Sequence, residues 1–149
     1  MGERVTSERL RNVATTQSED PNERVNHPRH YNQHPSGVEC IELIEHLPCN
    51  LANAIKYVWR CGLKTSEDPL RDLRSARWYV AREKQRCGAK PDTLALPLIV
   101  LRLARAVVDV DRSALLARWL ECLCTGDLEL WLYELDVQIA ELQRLGERR

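Results

Sequence analysis

The chain has 149 residues, a formal net charge of zero at pH 7 and 44% hydrophobic residues. This is the size and composition of one ordinary domain with a modest core, and a neutral total argues against non-specific nucleic-acid binding as the main activity. The opening residues 1–6 lack the apolar stretch of a secretory signal, and no later apolar run is long enough to span a bilayer. We therefore expect a cytoplasmic protein that has no membrane partner.

The charge is unevenly distributed along the chain. Residues 1–49 contain 5 Lys/Arg and 8 Asp/Glu, residues 50–90 contain 10 and 4, and residues 91–149 contain 7 and 10. A basic central segment of this kind indicates a site for phosphate-bearing ligands. The six cysteines are expected to be reduced, because nothing in the sequence points to secretion.

The N-terminal part of the chain contains a polar tail and a loop rich in histidine. Residues 1–24 are polar and lack an apolar period, which predicts a disordered tail. The next segment contains His27, Pro28, His30 and Tyr31, and predicts an irregular loop stiffened by proline. Its imidazoles can donate to an anion or act as an acid or a base near neutral pH. They can equally hold the loop together by bonding to the backbone.

Two helices are predicted after this loop. Apolar residues at helical spacing predict a first helix of about ten residues, which begins near Gly37 and ends at Pro48. A second helix is predicted over about residues 50–61, with Gly62 as its stop signal. Its apolar residues share one face, and an arc of about 100° on the other face carries Asn53, Lys56, Tyr57 and Arg60.

This polar face predicts an anion site. Lys56 and Arg60 are one turn apart and can grip one anion, and Lys64 follows just past the helix end. The amide of Asn53 can contact a base edge or a sugar. No acidic residue occurs between positions 45 and 67, so we expect these cations to lack local partners. The alternative is that the face is simply solvated, as charged helix faces usually are.

A third helix is predicted from Asp68-Pro69, a capping carboxylate followed by a first-turn proline, to about Cys87. We single out Arg74 and Trp78, because a tryptophan among arginines offers both a stacking surface and charge. The predicted core stripe contains Leu70, Leu73, Ala76 and Val80, and the more exposed flank contains Arg71, Arg74, Trp78 and Arg82.

Three further helices are predicted, over about residues 96–108, 111–124 and 127–145. With no convincing alternating strand, the predicted fold is all-α, a compact bundle of five to six helices. Residues 91–149 form a C-terminal helical extension that can serve oligomerisation or partner binding. Its apolar rows equally fit an internal core.

Metal sites are predicted only weakly by the spacing of ligands. Glu42 and Glu45 lie one turn apart and can share Mg²⁺, although glutamates on a short helix commonly face water. All four histidines fall within residues 27–46, near Cys40 and Cys49, which would suit zinc. The familiar paired zinc spacings are missing, as are a Walker loop and a dinucleotide fingerprint.

Four ordered blocks resemble a small bacteriophage family catalogued as domain of unknown function 3310. The resemblance covers about residues 25–86, and we assign the family domain to residues 25–90. The blocks are Val25-Asn26-His27-Pro28-x-His30-Tyr31, Gly37-Val38-Glu39-Cys40-Ile41-x-x-Ile44-Glu45, Asn53-Ala54-Ile55-Lys56-Tyr57-x-Trp59-Arg60-x-Gly62-x-Lys64 and Asp72-Leu73-x-x-Ala76-x-Trp78-Tyr79.

The family includes an early coliphage nucleotide kinase that lacks a Walker motif. The resemblance therefore implies phosphoryl transfer to a (deoxy)nucleoside monophosphate, with Mg²⁺ and a nucleoside triphosphate as donor, in the cytoplasm of a bacterial host. The expected catalytic residues are His27, His30, Lys56 and Arg60, and the expected nucleotide-binding residues are Tyr31, Asn53, Lys64, Arg74 and Trp78.

Two alternatives to the kinase remain. One is a non-catalytic module that sequesters a nucleotide or binds a host protein, and the other is a small zinc-stabilised interaction module. We expect a nucleotide as the ligand, no sequence-specific nucleic-acid binding, and homo-oligomer formation through the C-terminal helices.

Overall fold

The computed structural model describes residues 34–61, 68–88 and 94–148. This part of the chain forms helices and no strand, which confirms the predicted all-α class. None of these helices is both long enough and apolar enough to traverse a bilayer. The helices are α1 (Cys40–Ile44), α2 (Cys49–Arg60), α3 (Pro69–Cys87), α4 (Leu98–Val110), α5 (Leu115–Leu123) and α6 (Leu128–Glu147).

Local capping chemistry determines where α3 and α6 begin. The Asp68 carboxylate accepts a hydrogen bond from Leu70 N at 3.0 Å, and Pro69 occupies the first turn, where its missing N–H costs nothing. The Asp127 carboxylate likewise accepts from the backbone N–H groups of Glu129 and Leu130. Both predicted helix starts are thus confirmed.

Helix α1 is shorter than predicted. It has five residues instead of about ten, because Glu39 is its N-cap and its last turn opens after Ile44. The side chains of Glu39 and Glu42 form a capping box that satisfies two backbone N–H groups at the start of the helix, those of Glu39 and Glu42. A similar correction applies to α5, which begins at Leu115 and not near Asp111, because the Asp111 carboxylate instead accepts from Ser113 in a preceding turn.

Helices α2 and α3 form an antiparallel hairpin that supplies about a third of the buried hydrophobic residues. The buried face of α2 includes Leu51, Ile55 and Val58, as its periodicity predicts. The facing stripe of α3 includes Ala76 and Val80, which are also fully buried. The two helices make the most extensive helix pair in the described chain, so their outer faces are held in a fixed relation.

The C-terminal helices complete the same core. Trp119 and Trp131 are fully buried and meet edge to face, with ring centroids 6.2 Å apart. Each indole N–H donates to a backbone carbonyl, Trp119 to Trp131 O and Trp131 to Cys122 O. Residues 94–148 therefore share one continuous hydrophobic cluster with α1–α3.

Helix α3 lies between α2 on one side and α6 on the other. On the α6 side, Arg77 donates to both carboxylate oxygens of Asp136, and Lys84 pairs with Glu129. These two pairs lie about two turns apart along both helices. They fix the side of α3 that contacts α6.

Candidate functional site

The predicted polar face of α2 exists, and its cations gather around one aromatic ring. Lys56, Tyr57 and Arg60 are all partly exposed. Lys56 Nζ lies 5.4 Å from the centroid of the Tyr57 ring, and Arg60 Cζ lies 5.3 Å from it. Both distances allow a cation–π contact, so the two charges share Tyr57 as a neighbour.

Arg60 is not the unpaired cation that the sequence predicts. Its Nε lies 3.2 Å from Asp72 Oδ1, and only 13% of the Arg60 side chain is exposed. The predicted lack of a partner is wrong, because Asp72 is distant from Arg60 in sequence and is supplied by the next helix. Folding the hairpin brings the first turn of α3 against the last turn of α2.

The structure brings the two predicted halves of the site together through three aromatic side chains. Tyr57 on α2 stacks on Tyr79 on α3, with centroids 5.9 Å apart and the rings 17° from parallel. Trp78 meets Tyr79 edge-on, with centroids 5.0 Å apart. We call Tyr57, Tyr79 and Trp78 the aromatic bridge. It connects the Lys56 side of α2 to the outer face of α3.

The outer face of α3 carries cations around an exposed tryptophan. Trp78 is 60% exposed, whereas the other three tryptophans, all within the described residues, are buried. We call the four residues of this face the arginine ridge, and they are Arg71, Arg74, Trp78 and Arg82. All four are exposed, as the sequence predicts.

The amide of Asn53 is engaged within its own helix. Its Nδ2 donates to Cys49 O at 3.0 Å, and Cys49 Sγ lies 3.4 Å away. A ligand would therefore meet mainly the amide oxygen of Asn53, which accepts hydrogen bonds. That suits a base or sugar donor better than a phosphate.

Two thiols near this surface, those of Cys61 and Cys40, have raised pKa values. Cys61 Sγ lies 3.6 Å from Pro69 O, and burial together with Asp72 and Asp68 raises the pKa of Cys61 to about 11. Burial raises the pKa of Cys40 to about 12, although Lys56 opposes that shift. Neither residue is suited to act as a thiolate nucleophile.

The predicted carboxylate pair, Glu42 on α1 and Glu45 just after it, is partly used for structure. Glu42 Oε2 accepts from Glu39 N at 2.7 Å, and Glu45 Oε1 lies 3.5 Å from His46 Nε2. Among residues 34–61, 68–88 and 94–148, no three His, Cys, Asp or Glu side chains gather as a metal site would require. The zinc hypothesis gains no support from the histidines and cysteines in these ranges.

His34 is the histidine whose surroundings the structure describes most fully. Its Nδ1 lies 2.7 Å from Ser36 Oγ, and its ring packs on Trp59 with centroids 5.6 Å apart. Burial lowers the pKa of His34, while Asp111 acts in the opposite direction. The predicted site residues His27, His30, Tyr31 and Lys64 lie outside the described residues.

Two residues of the site were not among the predicted site residues. Tyr79 forms the centre of the aromatic bridge, and Asp72 holds Arg60. Both belong to the block Asp72-Leu73-x-x-Ala76-x-Trp78-Tyr79 of the family resemblance. Their positions along the helix could have indicated them. Both lie about a quarter-turn from the exposed flank of α3, on the side that an antiparallel α2 must cover.

Comparison with known proteins identifies one family. Residues 25–81, less than half of the chain, match the model of a family described as a protein of unknown function (DUF3310). No curated protein and no solved structure matches the chain. The matched segment contains α1, α2 and most of α3, and with them Lys56, Arg60 and the aromatic bridge. Residues 25–81 are therefore similar to the DUF3310 family.

Proposed function

We propose that this protein binds a nucleotide where the polar face of α2 meets α3, and that its leading activity is phosphoryl transfer to a (deoxy)nucleoside monophosphate in the cytoplasm of a bacterial host. One observation carries the binding part of this proposal. The stack of Tyr57 on Tyr79 joins the cation Lys56 to the exposed ring of Trp78. A nucleotide needs both features, a positive charge for its phosphates and an aromatic face for its base.

The side chains divide naturally between these two needs. Lys56 is a mobile point charge that can follow a phosphate, and Trp78 offers an open ring face beside Arg74. The oxygen of Asn53 can accept from a base or sugar. His27 and His30, as predicted from sequence, would orient the acceptor, and Lys64 would add a second phosphate contact.

Arg60 has a supporting role in this arrangement. Because it pairs with Asp72 and lies against Tyr57, its guanidinium holds the ring that joins the two helices. We therefore reassign Arg60 from direct contact with the transferred phosphoryl group to positioning of Tyr57. Lys56 then becomes the principal phosphate-binding residue among the described residues of α2.

Magnesium would neutralise and bridge the phosphates of a nucleoside triphosphate donor. The predicted pair Glu42 and Glu45 suits this ion poorly, because one oxygen of Glu42 is already the acceptor for the start of α1. Mg²⁺ is commonly held by substrate phosphates with few protein ligands. We therefore assign no step of the reaction to these two carboxylates.

The pairing of Arg60 with Asp72 also favours a second candidate, a protein that binds a nucleotide without turning it over. Phosphoryl transfer relies on positive charge placed around the developing transition state. With Arg60 committed to Asp72, Lys56 carries most of that task on α2. A sequestering protein needs only the binding surface and would show affinity without transfer.

The test is thermal unfolding of the full chain with Mg²⁺ and a panel of nucleoside mono- and triphosphates, followed by a phosphoryl-transfer assay on each stabilising nucleotide. We expect a raised Tm that Lys56→Ala reduces, with affinity falling about tenfold or more. Lys84→Ala is the matched control, because Lys84 pairs with Glu129 on the α6 side. A shift with transfer supports the kinase, a shift without transfer supports the sequestering protein, and no shift contradicts both.

A further inference from the structure

The arginine ridge is longer than one nucleotide requires. On a helix with 3.6 residues per turn, Arg71, Arg74, Trp78 and Arg82 fall within an arc of about 80°. Eleven residues separate the first from the last, which corresponds to about 16 Å along the helix. A nucleic-acid strand in duplex geometry advances about 3.4 Å per nucleotide. The ridge therefore has room for a strand of four to five nucleotides.

The cations of the ridge are available to a ligand. Other cations of α3 already have partners, since Arg77 pairs with Asp136, Lys84 with Glu129, and Arg86 with Glu83. Within the described ranges, no carboxylate lies at ion-pairing distance from Arg71, Arg74 or Arg82. The acidic residues that α6 turns toward α3 are thus already paired, and the three ridge arginines retain their full charge.

The exposed ring of Trp78 indicates which class of polyanion would fit the arginine ridge. It lies in the middle of the ridge with 60% of its surface exposed, and Tyr79 supports its edge. A stack on an exposed indole needs an unpaired base, which a duplex does not present. An acidic peptide would match the arginines but has no flat ring for the tryptophan.

We propose that the arginine ridge binds single-stranded nucleic acid without sequence preference, with phosphates along Arg71, Arg74 and Arg82 and a base stacked on Trp78. This inference goes beyond the proposed function, because it requires neither Lys56 nor phosphoryl transfer. The neutral total charge argues against nucleic-acid binding as the main activity, but the charge that this surface needs is local and lies in the basic segment 50–90.

Intrinsic fluorescence provides the first test, because the other three tryptophans are buried. Titration of the full chain with a dT oligomer of about eight nucleotides should quench fluorescence saturably. The oligomer should bind more tightly than dTMP. Trp78→Leu should remove the quenching and weaken binding of a dye-labelled oligomer about tenfold, as followed by anisotropy. Quenching that persists in Trp78→Leu would overturn the assigned stack.

Salt dependence tests the phosphate contacts. Three contacts predict a slope of log affinity against log salt of about −2, and Arg71→Ala or Arg82→Ala should each reduce its magnitude by about 0.7. Arg102→Ala on α4 is the matched control, because Arg102 is also exposed but lies on another helix. Equal losses from Arg102→Ala and the ridge variants would contradict the proposal, as would equal affinity for duplex DNA or for polyglutamate.

The same titrations separate this inference from the proposed function. Oligomer binding that survives in Lys56→Ala, in a protein that no mononucleotide stabilises, would support the ridge and contradict the nucleotide site. A protein that binds a mononucleotide as tightly as it binds the oligomer would support the nucleotide site and contradict the ridge.

Discussion

Arg60 Nε lies 3.2 Å from Asp72 Oδ1, in a pair whose side chains are only 13% and 3% exposed. The pair joins the last turn of α2 to the first turn of α3. Removing one member would take an oppositely charged group away from the other in a poorly solvated place. The pair therefore holds the two helices of the hairpin together and keeps Arg60 in place against Tyr57.

We predict that Asp72→Asn lowers the free energy of unfolding by about 3 kcal/mol, measured by urea denaturation. Asp136→Asn is the control, since it breaks the exposed pair with Arg77 and should cost less than about 1 kcal/mol. Equal losses in the two variants would show that burial does not distinguish the pairs.

Two glycines with positive φ allow a matched test of backbone packing. Gly126 has φ of +72° and Gly88 has φ of +64°. A Cβ at Gly126 would collide with the Leu94 carbonyl oxygen, whereas a Cβ at Gly88 meets open space. Gly126 O also accepts from Leu94 N at 2.7 Å.

Gly88→Ala should therefore cost about 1–3 kcal/mol of stability, the backbone strain of a φ of +64° with a ψ of −150° alone. Gly126→Ala should cost at least about 2 kcal/mol more, because backbone must move. Thermal unfolding of both variants measures the difference. Equal values of Tm would contradict the predicted collision with the Leu94 backbone.

The charge of Glu83 makes the free energy of unfolding depend on pH. It is 1% exposed, and hydrogen bonds from Arg86, aided by one from Asn50, hold its pKa below the ordinary value despite burial. The stabilisation that the Glu83 charge provides is therefore fully present above the unfolded-state pKa of about 4.3. It is lost as the pH falls through the lower pKa of the native state.

We expect Glu83→Gln to be less stable than the wild type by about 1–3 kcal/mol at neutral pH. The gap should shrink once the pH falls below about 4. Urea midpoints of both proteins at neutral and acidic pH test this. A gap that stays constant would show that Glu83 contributes through packing and not through its charge.

The cysteines should differ in reactivity toward iodoacetamide. Cys49 is exposed, whereas Cys40 is buried with a pKa of about 12 and Cys61 has a pKa of about 11. Because the thiolate is the reacting form, Cys49 should be alkylated well before the other two. Mass mapping of the native protein measures the order in which the cysteines are alkylated. This order should disappear when the protein is labelled in urea. Rapid labelling of native Cys40 would contradict its burial.

The parts of the fold that depend on local chemistry were predictable from the sequence. Asp68-Pro69 and Gly126-Asp127 set helix boundaries through hydrogen bonds to near neighbours, and such contacts depend on a few adjacent residues. The exposed flank of α3 followed from its period in the same way. The length of α1 did not, because the capping box of Glu39 and Glu42 starts the helix later than the apolar period does.

The predicted site was less complete, because it depends on which helix covers which face. Periodicity places Arg60 on a polar face but cannot say that Asp72 lies opposite it. The same limit applies to Tyr79, whose partner Tyr57 lies on another helix. The exposure of a single residue such as Trp78 was predictable. The contacts between residues on different helices were not.

The family match ends at residue 81, whereas α3 continues to Cys87. The six residues beyond the match include Glu83, which accepts a hydrogen bond from Asn50 at the start of α2, and Lys84, which pairs with Glu129. A fragment cloned to the boundary of the match would lose both and would expose apolar surface that α6 now covers. Expression and ligand screening therefore need a chain that extends through α6.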